Sequence, residues 1–388
     1  MIVDITALVT EHPGAGFALT PCRLDGPRDD EVLVRIEAVG LCHTDLGVAA
    51  GYLPDLPFPV VLGHEGAGVV EAVGRGVDHV AIGDHVVITG PRCQKCRFCR
   101  DGRPAYCQRA DELVFSCQRA DGSTALSRAS VAAPGKRDDV AGHFFGQSSF
   151  ASHAVASAAG VVPIDRSMPF HLAAPLGCGV VTGWGTVRNH LGVREGETVI
   201  VIGFGGVGSA SVAAALSLGA RVVVVEPSAS KRRLAQSLGA EVIDPASPTL
   251  IGDARDLTGG GADHVVCTIG AVATVEQAID LAGRNGAIAL VGGSPPGSRV
   301  SVDPSDLLFS GKRLSGVRMG EMIAARDVPM LVEAWKDGLL PLELLVTTFP
   351  LDRVAEAAEA VDRGECVKAV LLPDHGDLRR RGREEDRP

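Results

Sequence analysis

Four cysteines within a short polar segment are spaced C-x2-C-x2-C-x7-C, and they are Cys93, Cys96, Cys99 and Cys107. Unligated thiols in so polar a segment are hard to explain as packing. Four thiolates at this spacing can close a tetrahedral zinc site that has no open position, which would clasp a loop lacking its own core. An iron–sulfur cluster is the alternative interpretation of the short C-x2-C-x2-C run.

A second set of possible metal ligands is dispersed along the chain. Cys42 lies in GLCHTDLG, His64 and Glu65 lie in GHEGAG, and Cys178 lies in LGCGVVTGWG. Each is weak evidence alone, because a single buried cysteine usually packs in the core and a single histidine usually forms an ordinary hydrogen bond. Together, two thiolates and one imidazole would leave the fourth tetrahedral position free for water or a substrate.

The segment GFGGVG, residues 203–208, follows the apolar stretch TVIVIG and opens a helix-length stretch. Such a turn lets backbone N–H groups and a helix terminus approach a pyrophosphate. Glu226 ends the next apolar stretch, where its carboxylate can accept hydrogen bonds from ribose hydroxyls and repel a 2′-phosphate. This favours NAD over NADP. The cations Lys231, Arg232 and Arg233 are the counterargument, although we interpret them as exposed helix charges.

The elements that must position these residues follow from the hydrophobic pattern. Residues 31–90 alternate β-rich stretches with Gly and Pro, which is typical of a compact, mostly antiparallel β domain. From about residue 198, apolar strands alternate with helix-length segments, which predicts a parallel sheet covered on both faces. Residues 108–142 predict a long polar loop or lobe, and the charge-dense residues 374–388 predict a disordered tail.

Composition narrows the class of partner. The 388 residues are 46% hydrophobic and 22% charged, enough for two domains with sizeable cores. A net charge of −10 disfavours nucleic acid or an anionic membrane and favours a small molecule. The amino terminus has no signal-peptide pattern and no stretch is apolar enough to span a membrane, so we expect a soluble, cytoplasmic protein whose cysteines are reduced.

Together, the three sets of residues resemble the zinc-dependent medium-chain alcohol dehydrogenases, from about residue 5 to residue 372. GHEGAGVVEAVGRGV is close to the zinc signature of that family, with Ala67 where Glu or Leu is usual. The resemblance implies an α/β protein with a GroES-like catalytic domain over residues 1–178. It further implies a Rossmann domain with a doubly wound parallel sheet that binds NAD over residues 179–317, and a return to the catalytic domain over residues 318–373.

The same resemblance implies two zinc ions per chain. The catalytic ion would be held by Cys42, His64 and Cys178, with Glu65 beside it and Asp45 orienting His64. Thr44 would supply the hydroxyl that hydrogen-bonds the substrate alcohol. The structural ion would be held by Cys93, Cys96, Cys99 and Cys107, which leaves Cys22, Cys117, Cys267 and Cys366 as ordinary cysteines.

Cofactor contacts are also implied by the resemblance. His43 and Lys368 would lie near the pyrophosphate, Thr182 and Val207 near the nicotinamide, and Gly203, Gly205, Gly206, Gly208, Glu226 and Lys231 around the rest of the nucleotide. Gly47 stands where many members of the family carry a histidine. Water or His43 would therefore have to complete the path of the proton to solvent.

The substrate is indicated by GHFFGQSSFASHA, residues 142–154, which is most like the aryl (benzyl) alcohol dehydrogenases. This implies a bulky primary alcohol, aryl or allylic, and its aldehyde. Phe144 and Phe145 would form an apolar wall, unless one of them is simple core packing. Thr89 stands where several relatives place a large aromatic ring, which implies a roomier slot.

Two alternatives remain open at this point. An enzyme that oxidises the S-(hydroxymethyl) thiol adduct of formaldehyde shares the scaffold, but it typically has an arginine where this chain has Asp111, although Arg109 lies nearby. A non-catalytic nucleotide-binding relative is expected to have lost a metal ligand, and none is missing here. We also expect a homo-oligomer, either a dimer or a tetramer.

Overall fold

The computed structural model describes residues 1–53, 55–129 and 138–376. Residues 377–388, which make up most of the predicted disordered tail, lie outside this range. Residues 130–137, which are part of the predicted polar loop, also lie outside this range.

The strands form three sheets, and we number them in chain order. They are β1 (Ile2–Thr10), β2 (Ala18–Asp25), β3 (Glu31–Gly40), β4 (Val60–Val61), β5 (Gly66–Val73), β6 (His85–Ile88), β7 (Leu126–Arg128), β8 (Asp139–Val140), β9 (His153–Ser157), β10 (Val161–Pro163), β11 (Thr198–Ile202), β12 (Arg221–Val225), β13 (Glu241–Ile243), β14 (Ala262–Cys267), β15 (Ala282–Leu290), β16 (Arg313–Gly316), β17 (Val346–Pro350) and β18 (Lys368–Leu372).

The helices are numbered in the same way. They are α1 (His43–Ala49), α2 (Arg97–Arg100), α3 (Ala110–Phe115), α4 (Phe170–Ala173), α5 (Gly179–Gly185), α6 (Gly206–Ser217), α7 (Ala229–Ser237), α8 (Leu250–Thr258), α9 (Val272–Leu281), α10 (Pro304–Ser310), α11 (Ala324–Lys336), α12 (Leu342–Leu345) and α13 (Val354–Asp362). A π-helical stretch, Thr186–Leu191, continues α5. None of the helices in the described residues combines the length and the apolar character needed to cross a lipid bilayer.

Two sheets make up the GroES-like part of the molecule. One has the order β4-β1-β2-β7-β8, and the other has the order β10-β6-β5-β3-β18-β17 with β9 also paired to β3. All these pairings are antiparallel except β17 with β18, so the predicted mostly antiparallel β structure is confirmed. The last strand, β18, pairs with β3, and this returns the chain to the first part of the fold after the parallel sheet.

The third sheet is parallel and has the order β13-β12-β11-β14-β15-β16. Numbered within the sheet, this is the 3-2-1-4-5-6 order of the Rossmann fold, so the predicted doubly wound sheet is confirmed. Its central strands are runs of buried β-branched residues, such as Val222 to Val225 in β12, because helices cover both faces. The strand order reverses beside β11, and GFGGVG follows directly after that strand.

The GroES-like and Rossmann parts share apolar packing around α5. All seven residues of α5 are buried, and its helix begins immediately after Cys178. Helix α5 lies against α6 so closely that a Cβ on Gly183 would stand 2.0 Å from the Val207 carbonyl oxygen. Glycine is therefore required at residue 183. The contact holds Cys178, which precedes α5, near the start of α6, where an added Cβ on Gly179 would stand 3.8 Å from the Gly206 carbonyl carbon.

The segment predicted as a long polar loop or lobe is a lobe with regular structure of its own. Its described part includes α3, β7 and β8, and β7 pairs antiparallel with β2. A few apolar side chains, such as Val114 and Leu126, anchor these elements to the core. Cys117 is 1% exposed and packs there too.

The second copy of CQRAD, residues 117–121, joins this lobe to the sheet by charge as well. Arg119 forms an ion pair with Glu31 at 2.8 Å, with both side chains largely buried. The lobe is thus fixed to the domain by packing and by a buried ion pair.

Candidate active site

Three distant segments bring together four side chains that could hold a metal ion. The ligand atoms of Cys42, His64, Glu65 and Cys178 all lie within 4.8 Å of one another. Cys42 precedes α1, His64 and Glu65 lie between β4 and β5, and Cys178 precedes α5. The dispersed residues that the sequence could only group by type therefore converge on one point between the two parts of the fold.

His64 is oriented so that one ring nitrogen faces this cluster. Asp45 places Oδ1 at 2.9 Å from His64 Nδ1, and its carboxylate also accepts hydrogen bonds from the backbone N–H groups of Gly63 and Cys42. The proton of the neutral ring therefore belongs on Nδ1. His64 Nε2 is buried and has no hydrogen-bond partner, which is how a metal-ligating nitrogen stands before it binds.

The thiols of Cys42 and Cys178 strongly affect each other's pKa. A hydrogen bond from the Cys178 thiol, together with the nearby His64 and Lys368, lowers the pKa of Cys42 well below its ordinary value despite burial. The same contact with Cys42, together with burial, raises the pKa of Cys178. A bound divalent cation would relieve this competition by stabilising both thiolates. The donor set of two sulfurs and one imidazole thus fits Zn²⁺.

Glu65 does not stand alone beside the cluster. Its Oε2 lies 2.6 Å from Lys368 Nζ, and its Oε1 accepts a hydrogen bond from the backbone N–H of Gly179 at 3.1 Å. Lys368 also donates to the Leu41 carbonyl oxygen at 2.9 Å. Burial and the neighbouring Cys42 outweigh Lys368 and raise the pKa of Glu65.

Lys368 was expected near the cofactor pyrophosphate, and its side chain lies between the glycine turn and the cluster of Cys42, His64, Glu65 and Cys178. Its aliphatic chain runs along Gly206, where an added Cβ would stand 3.2 Å from Lys368 Cδ. The ammonium group itself pairs with Glu65.

The four clustered cysteines form the second group. The sulfur atoms of Cys93, Cys96, Cys99 and Cys107 lie within 4.8 Å of one another. The Cys96–Cys99 and Cys93–Cys99 sulfur distances are 3.5 and 4.0 Å. A tetrahedron with Zn–S bonds of about 2.3 Å has edges of about 3.8 Å, so the spacing fits one zinc ion. All ten cysteines of the chain are free thiols in the structure.

Backbone N–H groups already point at these sulfurs. The N–H of Cys93 donates to the sulfur of Cys107 at 3.4 Å, and the N–H of Cys96 donates to the sulfur of Cys93 at 3.3 Å. The N–H of Gln108 donates to the sulfur of Cys96 at 3.5 Å. These hydrogen bonds from Gln108 and the neighbouring groups lower the pKa of Cys96 to about 6. The segment is therefore folded around four sulfurs of which at least one is readily ionised.

The glycine turn lies between β11 and α6. Gly203 has a φ of 91°, and a Cβ on Gly208 would stand 2.0 Å from the Gly203 carbonyl oxygen, so both positions need glycine. Added Cβ atoms at Gly205 would meet nothing within 4 Å. The open side of the turn leaves room for a phosphate at the start of α6.

Glu226 is buried beneath this turn. Its two carboxylate oxygens accept hydrogen bonds from the backbone N–H groups of Phe204 at 2.8 Å and Ser228 at 2.9 Å. Each carboxylate oxygen can accept more than one hydrogen bond, so these contacts orient Glu226 without exhausting it.

The three cations that follow Glu226 have different surroundings. Arg232 pairs with Asp244 at 2.9 Å and donates to the carbonyl oxygens of Glu226 and Pro227. Arg233 is exposed, and Lys231 is half-buried. Within the described residues neither Lys231 nor Arg233 forms an ion pair, and Lys231, the less exposed of the two, is the candidate for reaching a nucleotide phosphate.

The remaining predicted residues lie around the cleft. Thr44 Oγ1 is 3.7 Å from Cys42 Sγ, and His43 is exposed at the first position of α1. Thr182 is buried on α5 with its hydroxyl oxygen unpaired, while the Val207 carbonyl oxygen packs against Gly183.

The predicted aromatic wall is only partly available to a substrate. Phe145 stacks on the His64 ring at 4.3 Å between centroids, and Phe144 meets the same ring edge-on at 5.7 Å. Phe144 is 0% exposed. Thr89 is 1% exposed, and its hydroxyl donates to the Gly160 carbonyl oxygen. Phe144 and Thr89 are therefore closed off from the cleft, and Phe145, at 8% exposure, is the more exposed of the two phenylalanines.

Sequence reasoning missed two residues at this site. Phe115, at the end of α3, contacts Phe145 edge-on at 5.5 Å. Met319 places its sulfur 3.9 Å from Cys178 Sγ. Phe115 is an aromatic residue in an otherwise polar segment, which is a weak signal that could have been used. Met319 follows no motif.

Two family models match this chain. One, described as an alcohol dehydrogenase GroES-like domain, matches residues 28–166, and the other, described as a zinc-binding dehydrogenase, matches residues 206–336. The first match lies within the antiparallel part of the fold, and the second covers most of the parallel part, from the start of α6 onward.

Relatives extend the likeness over nearly the whole chain. Geraniol dehydrogenase from Castellaniella defragrans is 38% identical over 374 residues, covering 95% of this chain and 98% of the relative. An alcohol dehydrogenase zinc-binding domain protein from Burkholderia ambifaria superposes with a TM-score of 0.93 at 39% identity, covering 97% of this chain and 100% of that one. Benzyl alcohol dehydrogenase from Acinetobacter calcoaceticus superposes with a TM-score of 0.91 at 35% identity, covering 96% of this chain and 100% of that one. The chain therefore belongs to the zinc-dependent medium-chain alcohol dehydrogenase family, and it is an oxidoreductase of that type.

Proposed function

We propose that this enzyme interconverts a bulky primary alcohol, aryl or allylic, and its aldehyde with NAD. One zinc ion would be held by Cys42, His64 and Cys178, and a second by the four clustered cysteines. The observation that carries the proposal is the convergence of the first three ligands, with an unpartnered His64 Nε2, beside the glycine turn. The sulfur spacing at the second site favours a single ion over an iron–sulfur cluster, whose thiolates bind different irons and lie farther apart.

The chain's own residues would divide the work as follows. When bound, zinc supplies Lewis acidity that lowers the pKa of the alcohol, and NAD supplies the hydride acceptor. Thr44, at the start of α1, would accept the hydrogen bond of the alcohol and draw its proton away. Because residue 47 is glycine, the proton would continue through water or the exposed His43.

Cofactor preference rests on Glu226 in this proposal. Its buried carboxylate lies under the glycine turn, where a 2′-phosphate would meet a fixed negative charge. Arg232 is occupied by Asp244, so it is a poor candidate for binding that phosphate. NAD is therefore the preferred cofactor, and Lys231 is the residue whose removal tests the opposite view.

The substrate class is supported by the aromatic surroundings of His64 and by the relatives. Phe145 and Phe115 offer ring surface on the metal side of the cleft, which suits a planar, apolar substituent on the alcohol carbon. Geraniol is an allylic alcohol and benzyl alcohol carries an aryl group, and the relatives named for them cover nearly the whole chain.

The thiol-adduct alternative is weaker on the geometry. A relative named as a probable S-(hydroxymethyl)glutathione dehydrogenase, from Schizosaccharomyces pombe, is 32% identical over 351 residues. However, Asp111 is ion-paired with Arg318 at 2.8 Å, and Arg109 is engaged by Glu112. Arg318 and Arg109 are therefore each paired with a carboxylate, and neither is a free cation that could bind the carboxylate of the adduct.

Initial rates on a panel of alcohols test the proposal. Benzylic, allylic and short aliphatic alcohols and the formaldehyde–thiol adduct are each offered with NAD and with NADP. We expect the highest kcat/KM with a benzylic or allylic alcohol and NAD. Highest kcat/KM for the thiol adduct would support the alternative, and no turnover of any alcohol by a zinc-loaded preparation would favour a non-catalytic role.

A pair of variants tests the aromatic wall. Phe145→Ala should raise KM for benzyl alcohol by about tenfold while changing KM for ethanol less, because a buried ring contributes on the order of 1–3 kcal/mol to apolar binding. Phe17→Ala, which removes a partly buried ring that packs edge-on against Phe150, is the matched control. Equal effects on both alcohols would argue against a substrate contact.

We also propose that the enzyme is a homo-oligomer in a reducing compartment such as the cytoplasm. Leu308 and Phe309 on α10 are 76% and 77% exposed, and they adjoin the edge strand β16. Apolar surface of this kind next to an open strand edge is a favourable site for subunit contact. Light scattering on the wild type and on Phe309→Glu tests this: a smaller particle for the variant is expected, and an unchanged mass would exclude this contact.

A further inference from the structure

The turn between β16 and α11 has an unusual backbone. Met319, Gly320 and Glu321 have φ values of 50°, 57° and 54°, so three consecutive residues are in the left-handed region. Side-chain-bearing residues rarely adopt this conformation, and it persists only where the surroundings enforce it. Gly320 is also tightly enclosed, since an added Cβ would stand 2.5 Å from the Val181 carbonyl oxygen.

Hydrogen bonds from two other parts of the molecule enforce this turn. The Tyr106 hydroxyl donates to Glu321 Oε1 at 2.9 Å, and His190 Nδ1 lies 3.1 Å from the same oxygen. Asn189 Nδ2 donates to the Gly320 carbonyl oxygen at 3.1 Å. Tyr106 immediately precedes Cys107, so one of these partners belongs to the cysteine-rich lobe, residues 93–115.

This left-handed segment places Met319 against the cluster of Cys42, His64, Glu65 and Cys178. Met319 Sδ lies 3.9 Å from Cys178 Sγ, and both residues are half-buried. A thioether donates no hydrogen bond and accepts only weakly, whereas water would donate to a thiolate. A thiolate that accepts hydrogen bonds from water is a weaker ligand, because the surrounding shell tunes the metal–ligand bond.

We propose that Met319 and Glu321 are positioning residues of the active site. Glu321, fixed by Tyr106 of the cysteine-rich lobe and by His190, holds the strained turn, and the turn keeps the Met319 thioether over Cys178 and water away from it. The lobe thereby protects a metal ligand in a different part of the fold. This inference rests on the proposed function through the role of Cys178 as a zinc ligand.

A second contact between the same two segments provides a control. Arg318 and Asp111 form an ion pair at 2.8 Å, but the Asp111 side chain is 83% exposed. Exposed ion pairs of this kind contribute little to stability. Asp111→Asn therefore alters the lobe-to-turn contact without removing the hydrogen bonds to Glu321.

The experiment compares zinc-loaded variants by two readouts besides turnover. One is the rate of zinc release to a chelator, and the other is the rate of iodoacetamide alkylation of Cys178, resolved by peptide mass spectrometry. The variants are Met319→Ala, Met319→Leu, Glu321→Ala, Glu321→Gln, Tyr106→Phe and Asp111→Asn. Far-UV circular dichroism identifies any variant that fails to fold.

We expect Met319→Ala, Glu321→Ala and Tyr106→Phe to release one zinc per chain, and to alkylate Cys178, about tenfold faster than the wild type. Met319→Leu restores the apolar cover, and Glu321→Gln keeps an acceptor for Tyr106, so both should stay within about threefold. Asp111→Asn should behave as the wild type.

The proposal is overturned if the conservative variant Tyr106→Phe, or Met319→Ala, reacts as slowly as the wild type. It is equally overturned if Asp111→Asn reacts as fast as Tyr106→Phe, since that would indicate general loosening of the lobe. Failure of the proposed function would look different: the alcohol panel would show no turnover, or Cys178 of the wild type would be alkylated rapidly with no zinc to release.

Discussion

The Lys368 ammonium lies 2.6 Å from the Glu65 carboxylate, and both side chains are buried. This pair connects the residue that follows His64 to the strand that returns from the Rossmann domain. Because the Lys368 side chain also runs along Gly206, one ion pair lies between the metal-binding cluster and the cofactor turn.

Removing one partner of this pair should be costly. Lys368→Met leaves the Glu65 charge buried without its cation, and we expect the free energy of unfolding to fall by about 3–5 kcal/mol. The double variant Lys368→Met, Glu65→Gln removes both charges and should recover much of that loss. Urea unfolding at neutral pH measures both. A double variant no more stable than the single one would contradict a direct pairing.

The repeated pentapeptide allows a matched test of the structural zinc. Cys107→Ser should lower the zinc content from two ions per chain to one and destabilise the cysteine-rich lobe, because a closed site supplies folding energy. Cys117→Ala, in the second copy of CQRAD, should keep both ions and lose only core packing. Metal analysis of the two purified variants is the measurement, and equal zinc contents would show that Cys107 is not a ligand.

Cofactor choice should follow Glu226. Glu226→Ala removes a charged acceptor and should shift the NAD-to-NADP ratio of kcat/KM toward NADP by roughly 10- to 100-fold, the equivalent of about 1.5–3 kcal/mol for hydrogen bonds to a charged group. Lys231→Ala, five residues further along the chain on α7, should leave the ratio within about twofold. A large shift from the lysine variant together with none from the glutamate variant would reverse the assignment.

His143 should make stability depend on pH. Burial lowers the pKa of His143 to about 4, although Glu31 opposes this and Arg119 and Arg28 reinforce it. Since the folded pKa is depressed below the usual value of about 6.5, the unfolded chain binds the proton first as pH falls. The folded state is therefore favoured fully above pH ~6.5 and loses stability as pH falls from there toward 4.

We expect the free energy of unfolding to fall by about 2 kcal/mol between pH 7 and pH 5, since each pKa unit corresponds to about 1.4 kcal/mol. His143→Asn tolerates the left-handed backbone at residue 143, whose φ is 61°, and removes the titrating ring. Urea unfolding at both pH values should show a smaller difference for the variant. A difference as large as that of the wild type would assign the dependence to another group.

Much of the fold was accessible from local patterns. The valine-rich strand β12 and the glycine turn after β11 each carry their own signal, because a strand buried on both faces must be apolar throughout and a turn of this shape requires glycine. The four clustered cysteines are recognisable by residue type and spacing, whereas the grouping of Cys42, His64 and Cys178 was predicted from the family resemblance. No local pattern could show that these three meet, because Cys42 and Cys178 are 136 residues apart and packing around α5 brings them together.

The sequence did not reveal contacts between residues that belong to no recognisable local pattern. Met319 and Glu321 adopt a left-handed backbone that their residue types disfavour, and hydrogen bonds from Tyr106, His190 and Asn189 enforce it. Likewise, Lys368 is recognisable as a cation near the cofactor, but its pairing with Glu65 depends on strand β18 returning beside β3.

The most direct test of the account is anomalous diffraction from crystals of the zinc-loaded enzyme at the zinc absorption edge. We predict two peaks per chain. One lies among Cys42, His64 and Cys178 with a position open toward the cofactor turn, and the other lies among Cys93, Cys96, Cys99 and Cys107. Absence of the first peak in fully zinc-loaded crystals, or a fourth side chain closing that site in every crystal form, would contradict the account.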